Sequence, residues 1–442
     1  MKFLGTSCAA TFGALLVSCV PAPGTPPGPA PASWTADSPA AEIATGVWNG
    51  CRGGAGGRMA CVERTLTALI DQAGIGTSME VLDTLVVRHG AVRENSHALA
   101  HGLGISAYRS PETFAATFAD CPPSQMSGCY HGVVQGYFLA LQRQGRQVGT
   151  AELDAMCRPQ RASPFLFFQC AHGMGHGLMA LHGNHVPMAL QACDQASDEY
   201  VRNSCYGGVF MENIVAVTHP HHTAAGHAGT QGHGGHAAPA ADEHAGHGAH
   251  GGHGDHAGHG GMEHGEWRAL NRSDPLYPCN AVDARYHEAC YTMQSSAILF
   301  FNGGDVAATA AACARAPAGM VRHCILSLGR DVTALAAQRH DRSIELCGRA
   351  AGVAEGAAEG WCLVGVVQNL VNVAADPDEG LRFCRAVAGA DRKRECYVAV
   401  GGAIAGLVPD EAERARRCGG AEPEFAAACR RGAGVEARAG GE

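Results

Sequence analysis

Histidine is the residue type whose spacing in this chain could do chemistry. One group reads His97-Ala98-Leu99-Ala100-His101-Gly102, then Cys129-Tyr130-His131-Gly132, then Cys170-Ala171-His172-Gly173-Met174-Gly175-His176-Gly177. His97 with His101, and His172 with His176, stand at i and i+4, a spacing that turns both imidazoles to one face of a helix. Such a pair is a bidentate platform for zinc, copper or nickel. Aligned on the cysteine two residues upstream, with Leu99 standing in for it once, His101, His131 and His172 take one position in three successive segments. They are expected to form a row on one surface. Glu212, in Cys205-Tyr206-Gly207-Gly208-Val209-Phe210-Met211-Glu212, could add a carboxylate from the next segment. The architectural alternative is a set of polar rings buried at helix starts, donating to carbonyls left unpaired where the preceding helix ends. His89, His182, His185, His287, His323 and His340 fit neither pattern and read as ordinary polar residues.

The second group is denser. Of the 24 histidines, 13 lie between His219 and His264, among them His233, His236, His244, His247, His250, His253, His256, His259 and His264. They are embedded in Gly and Ala, a composition that cannot bury a core and predicts a flexible loop. Near neutral pH most such imidazoles are uncharged and can donate electron pairs to Cu(II), Ni(II) or Zn(II), several at a time and with no preformed geometry. That capacity should fall as pH drops through about 6.5, where protonation competes. The alternative is a low-complexity linker without a task.

Other chemistries find less support. HExxH, GxSxG and GxxxxGK[ST] do not occur, so an enzyme would have to be built from the histidine row, with an open metal position acting on water or oxygen. The formal charge is -9 and no Lys/Arg cluster tracks a phosphate backbone, which excludes nucleic acid as the expected partner. Apolar residues make up 46% of the chain and charged residues 17%, enough apolar surface for a core.

The elements that must position the histidines are announced by cysteine. Apart from Cys8 and Cys19, the cysteines fall into nine consecutive pairs: Cys51 with Cys61, Cys121 with Cys129, Cys157 with Cys170, Cys193 with Cys205, Cys279 with Cys290, Cys313 with Cys324, Cys347 with Cys362, Cys384 with Cys396, and Cys418 with Cys429. Even number, regular spacing and the absence of CxxC favour disulfides over zinc sites, redox pairs or haem attachment. Their first members recur roughly every 35 residues, the signature of a repeat. Two gaps break the period. Between Cys51 and Cys121, Val86 and Leu99 stand where a bridge would, and read as a repeat with an apolar pair in its place. Between Cys193 and Cys279 lies the histidine tract, an insertion.

Each repeat reads as two helices joined by a tight turn, with one cysteine near the end of the first helix and one near the start of the second. The second helices are rich in glycine, as in Tyr397-Val398-Ala399-Val400-Gly401-Gly402. Each helical glycine costs about 1 kcal/mol against Ala, so this abundance predicts close contact between helices. The pattern resembles the cysteine-rich relatives of Sel1 and tetratricopeptide repeats, in which each antiparallel helix pair carries one disulfide. The spacing here is longer and more variable, and the motif residues of those repeats are not found. The resemblance implies a solenoid across Cys51 to Cys429 and no particular activity or site. The expected fold is therefore all-α, a disulfide-stapled α-solenoid of about ten two-helix repeats of roughly 35 residues.

Lys2 and the apolar run Phe3 to Val17 read as an export signal, and Leu16-Val17-Ser18-Cys19 resembles a bacterial lipobox. That resemblance implies lipidation of Cys19; an ordinary secretory signal is the alternative. The expected organisation is a signal peptide (1–18), an anchor and Pro-rich linker (19–45), Cys/His-rich repeats (46–215), the His/Gly insertion (216–266), a second block of Cys-paired repeats (267–432) and a tail (433–442). The first expectation for function is a lipoprotein of the cell envelope, on the periplasmic side or the outer membrane, that buffers, stores or delivers copper, nickel or zinc. Its membrane contact would be through lipid. A scaffold holding a protein partner on the solenoid surface, or a metalloenzyme using the row, are the alternatives.

Overall fold

Two kinds of helix follow from two kinds of sequence. The first is short and capped: Asp376 accepts a hydrogen bond from the Asp378 amide with Pro377 at the first helical position, and Asp305 and Asp410 cap helices in the same way. The second is long, poor in charge and buried on most sides, as in the unbroken buried run from Gln169 to Ala180. Such a helix must have neighbours on both flanks.

A computed structural model describes residues 34–53, 57–146, 148–218, 267–374 and 376–435. The signal segment with Cys19, the histidines from His219 to His264, and the residues after 435 lie outside the described residues, and so do the expectations attached to them. Among the described residues there are 19 α-helices and no strand. The long helices are α2 (Gly57–Arg88), α4 (Ser96–Ala107), α6 (Gly128–Arg143), α8 (Pro164–Leu181), α10 (Glu199–Thr218), α11 (His287–Phe301), α13 (Ala318–Leu335), α15 (Ala358–Ala374) and α17 (Ala390–Leu407). From α4 onward each packs on the next, and α17 packs on the short α19 (Ala426–Gly432). Between them lie α1 (Ala40–Gly50), α3 (Gly90–Glu94), α5 (Phe114–Ala119), α7 (Thr150–Met156), α9 (Val186–Cys193), α12 (Val306–Cys313), α14 (His340–Gly348), α16 (Pro377–Ala386) and α18 (Glu411–Cys418). No helix among the described residues is long and apolar enough to cross a membrane.

All nine expected cysteine pairs are joined, with Cα separations from 5.4 to 5.9 Å. Cys51 bonds Cys61, Cys121 bonds Cys129, Cys157 bonds Cys170, and Cys193 bonds Cys205. In the second block Cys279 bonds Cys290, Cys313 bonds Cys324, Cys347 bonds Cys362, Cys384 bonds Cys396, and Cys418 bonds Cys429. The second member of each pair sits early in a helix, as expected: Cys61 in α2, Cys290 in α11, Cys324 in α13, Cys362 in α15 and Cys396 in α17 all fall within the first two turns. Each bridge thus ties the end of a preceding segment to the start of the next helix. Nine disulfides place the chain in an oxidising, extracytoplasmic environment.

One local expectation needs correction. The helical half-repeat expected before Cys279 is not formed: Trp267 to Val282 runs as turns, because Pro275 and Pro278 lack the amide protons a helix needs. Helix α2 is two helices in one, broken at Gly74 by a positive φ of 82°.

The glycines meet in pairs where long helices cross. A Cβ on Gly104 would overlap the Cys129 carbonyl, and one on Gly132 the His101 carbonyl; Gly175 faces Gly208, Gly329 faces Gly365, and Gly401 faces Gly432 in the same manner. The contact between helices expected from composition is thus backbone against backbone. The chain also touches itself over long range, α8 against α17 and the turn Gln125–Ser127 against α15.

Candidate metal centre

Four successive long helices each contribute to one site. Helix α4 supplies His97 and His101, α6 supplies His131, α8 supplies His172 and His176, and α10 supplies Glu212. The Gly104–Gly132 and Gly175–Gly208 crossings draw these helices together close to the imidazoles. Ring centroids lie 4.7 Å apart for His97–His101, 5.3 Å for His101–His131, 4.9 Å for His101–His176, 5.0 Å for His131–His172 and 5.1 Å for His131–His176. The expected row on a surface is instead a buried cluster, because the four helices pack on one another with these rings between them. His101, His131, His172 and His176 are at most 6% exposed, and Glu212 is 3% exposed. His97 is half-buried and marks the side nearest solvent.

Each ring is held by one nitrogen. His97 Nδ1 donates to the Gln125 carbonyl at 2.8 Å, His131 Nε2 to Gln169 Oε1 at 2.9 Å, and His176 Nδ1 to Glu212 Oε2 at 2.8 Å. His101 pairs with the Gln135 side chain and His172 with the Ser204 backbone. A partner that only accepts fixes the proton on the bonded nitrogen, so the other nitrogen carries a lone pair. Those second nitrogens find no partner among the described residues: His101 Nε2, His131 Nδ1, His172 Nε2 and His176 Nε2 are buried without one. Leaving such a group unsatisfied costs about 1–3 kcal/mol each. The architectural reading accounts for the bonded nitrogens and leaves the others unexplained. Rings oriented by a second partner, with free lone pairs converging, are what a metal ion needs.

Burial also keeps the rings neutral. It pushes His97 down to about 4 and His176 down to about 3, and holds His101, His131 and His172 well below their ordinary value. Neighbouring imidazoles, and Arg330 for His97 and His172, lower these values further. Neutral imidazole is the ligating form.

Three sets of three residues have ligand atoms within 4.8 Å of one another: His97, His101 and His131; His131, His172 and His176; His101, His176 and Glu212. The sets share members, and among the described residues the cluster has one carboxylate. Two divalent ions about 5 Å apart would repel by about 13 kcal/mol at an effective dielectric constant of 20. The donor set therefore suits one divalent ion at a time.

Local backbone supports the site. Gln125, Met126 and Ser127 have φ of 53°, 52° and 63°, a left-handed turn in three non-glycine residues that presents the Gln125 carbonyl to His97. The turn is anchored by Gln125 Nε2 donating to Asp83 Oδ1 at 2.7 Å. On the other side, Phe168 stacks on His172, and both line a cleft of about 780 Å³ with Tyr200, Arg202, Tyr206 and Arg285.

The sequence identified all six cluster residues and missed those that orient them. Gln135 stands four residues after His131, and Gln169 three before His172, spacings that put each near a helix face with an imidazole; Gln125 acts through its carbonyl and leaves no sequence signal. The histidines set aside have local partners where the structure shows them: His89 stacks on Trp48, His287 bonds the Val282 carbonyl, and His340 bonds Glu379. Comparison with family models, with curated proteins and with solved structures finds no match to this chain.

Proposed function

We propose that this is an extracytoplasmic metal-handling lipoprotein, anchored through Cys19, in which an α-solenoid of two-helix repeats holds one transition-metal ion in its N-terminal half. The ion is copper, nickel or zinc, the metals that imidazole suits. The observation that carries this reading is the set of four buried imidazole nitrogens without partners among the described residues, two of them on rings, His131 and His176, that are fixed at the other nitrogen. The histidine tract would add low-affinity capacity beside the centre, collecting ions that the centre then holds. A scaffold role accounts for the helical array and leaves those nitrogens unexplained.

Calorimetry of the purified chain with Cu(II), Ni(II) and Zn(II), with elemental analysis of protein from its own cell envelope, tests this. Binding of micromolar affinity or tighter is expected for at least one metal. Deleting residues 219–264 should remove most of the stoichiometry and leave about one tight ion, which His131→Ala with His176→Ala then abolishes. No heat with any of the three metals would end the reading.

A further inference from the structure

The three ligand sets are not equivalent, and their differences run in one direction. His97 is the half-buried member, and it belongs only to the set with His101 and His131. His176 and Glu212 are almost fully enclosed, and the sole carboxylate of the cluster lies at that end. The outer set shares His131 with one inner set and His101 with the other, while the two inner sets share His176. An ion at the outer set therefore already touches a ligand of each inner set, and can move inward by exchanging one imidazole at a time without becoming free. Charge favours the move, since the Glu212 carboxylate behind His176 compensates a cation on that ring better than neutral rings alone.

Resting on the metal-binding reading above, we infer that the centre is a two-station path for a single divalent ion: entry at His97, His101 and His131, and retention at the free nitrogens of His131, His172 and His176, with Glu212 holding His176 from behind at its other nitrogen. His97 then governs how fast an ion exchanges in either direction, and Glu212 how tightly it is held. A single undivided site makes the opposite demand, because each ligand lost from it weakens retention.

Cobalt(II) as probe separates these. In the full chain, ions on the histidine tract keep a water-rich, near-octahedral shell and absorb weakly, whereas the low-coordinate buried centre absorbs strongly in the visible. The rate at which the strong band grows reports loading, and its decay in excess chelator reports retention. His97→Ala, repeated as His97→Gln, is expected to slow loading and decay severalfold by the same factor, because an ion leaves by the path it entered and the retained state does not include His97. Glu212→Gln is expected to load at the normal rate and to lose cobalt severalfold faster. Glu212→Asp, which keeps the charge and shortens the reach, should shift the decay in the same direction if the glutamine variant does not fold. Loading by His97→Ala at the wild-type rate, or faster loss of cobalt from it than from the wild-type chain, would overturn the two stations while leaving the centre intact. Absence of the strong band in the wild-type chain would instead defeat the metal-binding reading itself.

Discussion

His176 has no measurable exposure and lies among four other imidazoles, so its protonation must be considered together with folding. In the unfolded chain these rings titrate near 6.5; in the fold His97 is pushed down to about 4 and His176 to about 3, with the other three also lowered by burial. Between those limits the unfolded chain binds more protons, so stability rises with pH. The contribution is complete above about pH 6.5 and is lost as pH falls through the folded values. The metal-free protein is therefore expected to melt at steadily lower temperature from pH 7 to pH 4, as followed by circular dichroism; a flat profile would mean that the rings are solvated. Metal release should follow the same difference. Ions held by the tract should leave near pH 6.5 and the ion in the centre at lower pH, giving two steps in a dialysis series, of which only the lower survives deletion of 219–264.

At the scale of elements, the crossings of long helices decide both stability and the aim of the ligands. Gly365 in α15 abuts the Leu326 carbonyl and Gly329, far along the chain from the imidazoles. Gly365→Leu should cost about 3 kcal/mol or more in urea unfolding, because two backbones must separate to admit the side chain. Gly319 in the first turn of α13 has open space around its Cα, so Gly319→Ala should stabilise by about 0.4–1 kcal/mol. Equal effects at the two positions would show that the crossing is not close. The sequence made the glycine-rich helices legible as contact helices, since their cost in propensity has to be offset by packing. It did not show which glycines pair, because pairing depends on the rotation of one helix against the next. Position in the repeat picked out the histidines that come together and placed them on a surface instead of in the interior, for the same reason.

For the whole molecule, nine disulfides closing intervals of 8 to 15 residues are local restraints. Each contributes about 2–3 kcal/mol and fixes one turn, while none links distant parts of the chain. Long-range cohesion comes from the stacked helices and from polar ties between neighbours. Arg330 and Asp331 of α13 share hydrogen bonds with Ser296 of α11, and Asp331 also accepts from Ser295. Peptide mapping without reduction should recover the nine adjacent linkages. Reduction should lower the unfolding midpoint and loosen the metal, because the short bridges set where each long helix starts and so where its imidazole points. Retention of the ion at native affinity in the fully reduced chain would show that helix packing alone aims the ligands.

Cysteine spacing by itself determined the bridges, since a short loop between two cysteines in an oxidising setting leaves few other partners, and histidine spacing determined which side chains face together within one helix. Only the tertiary structure decided that α4, α6, α8 and α10 bring those faces to one buried point and that each ring is pinned at one nitrogen. Local periodicity fixes directions around a single helix axis. The meeting of five rings and a carboxylate depends on the turn between successive axes, which is the sum of many packing contacts and is written in no single residue.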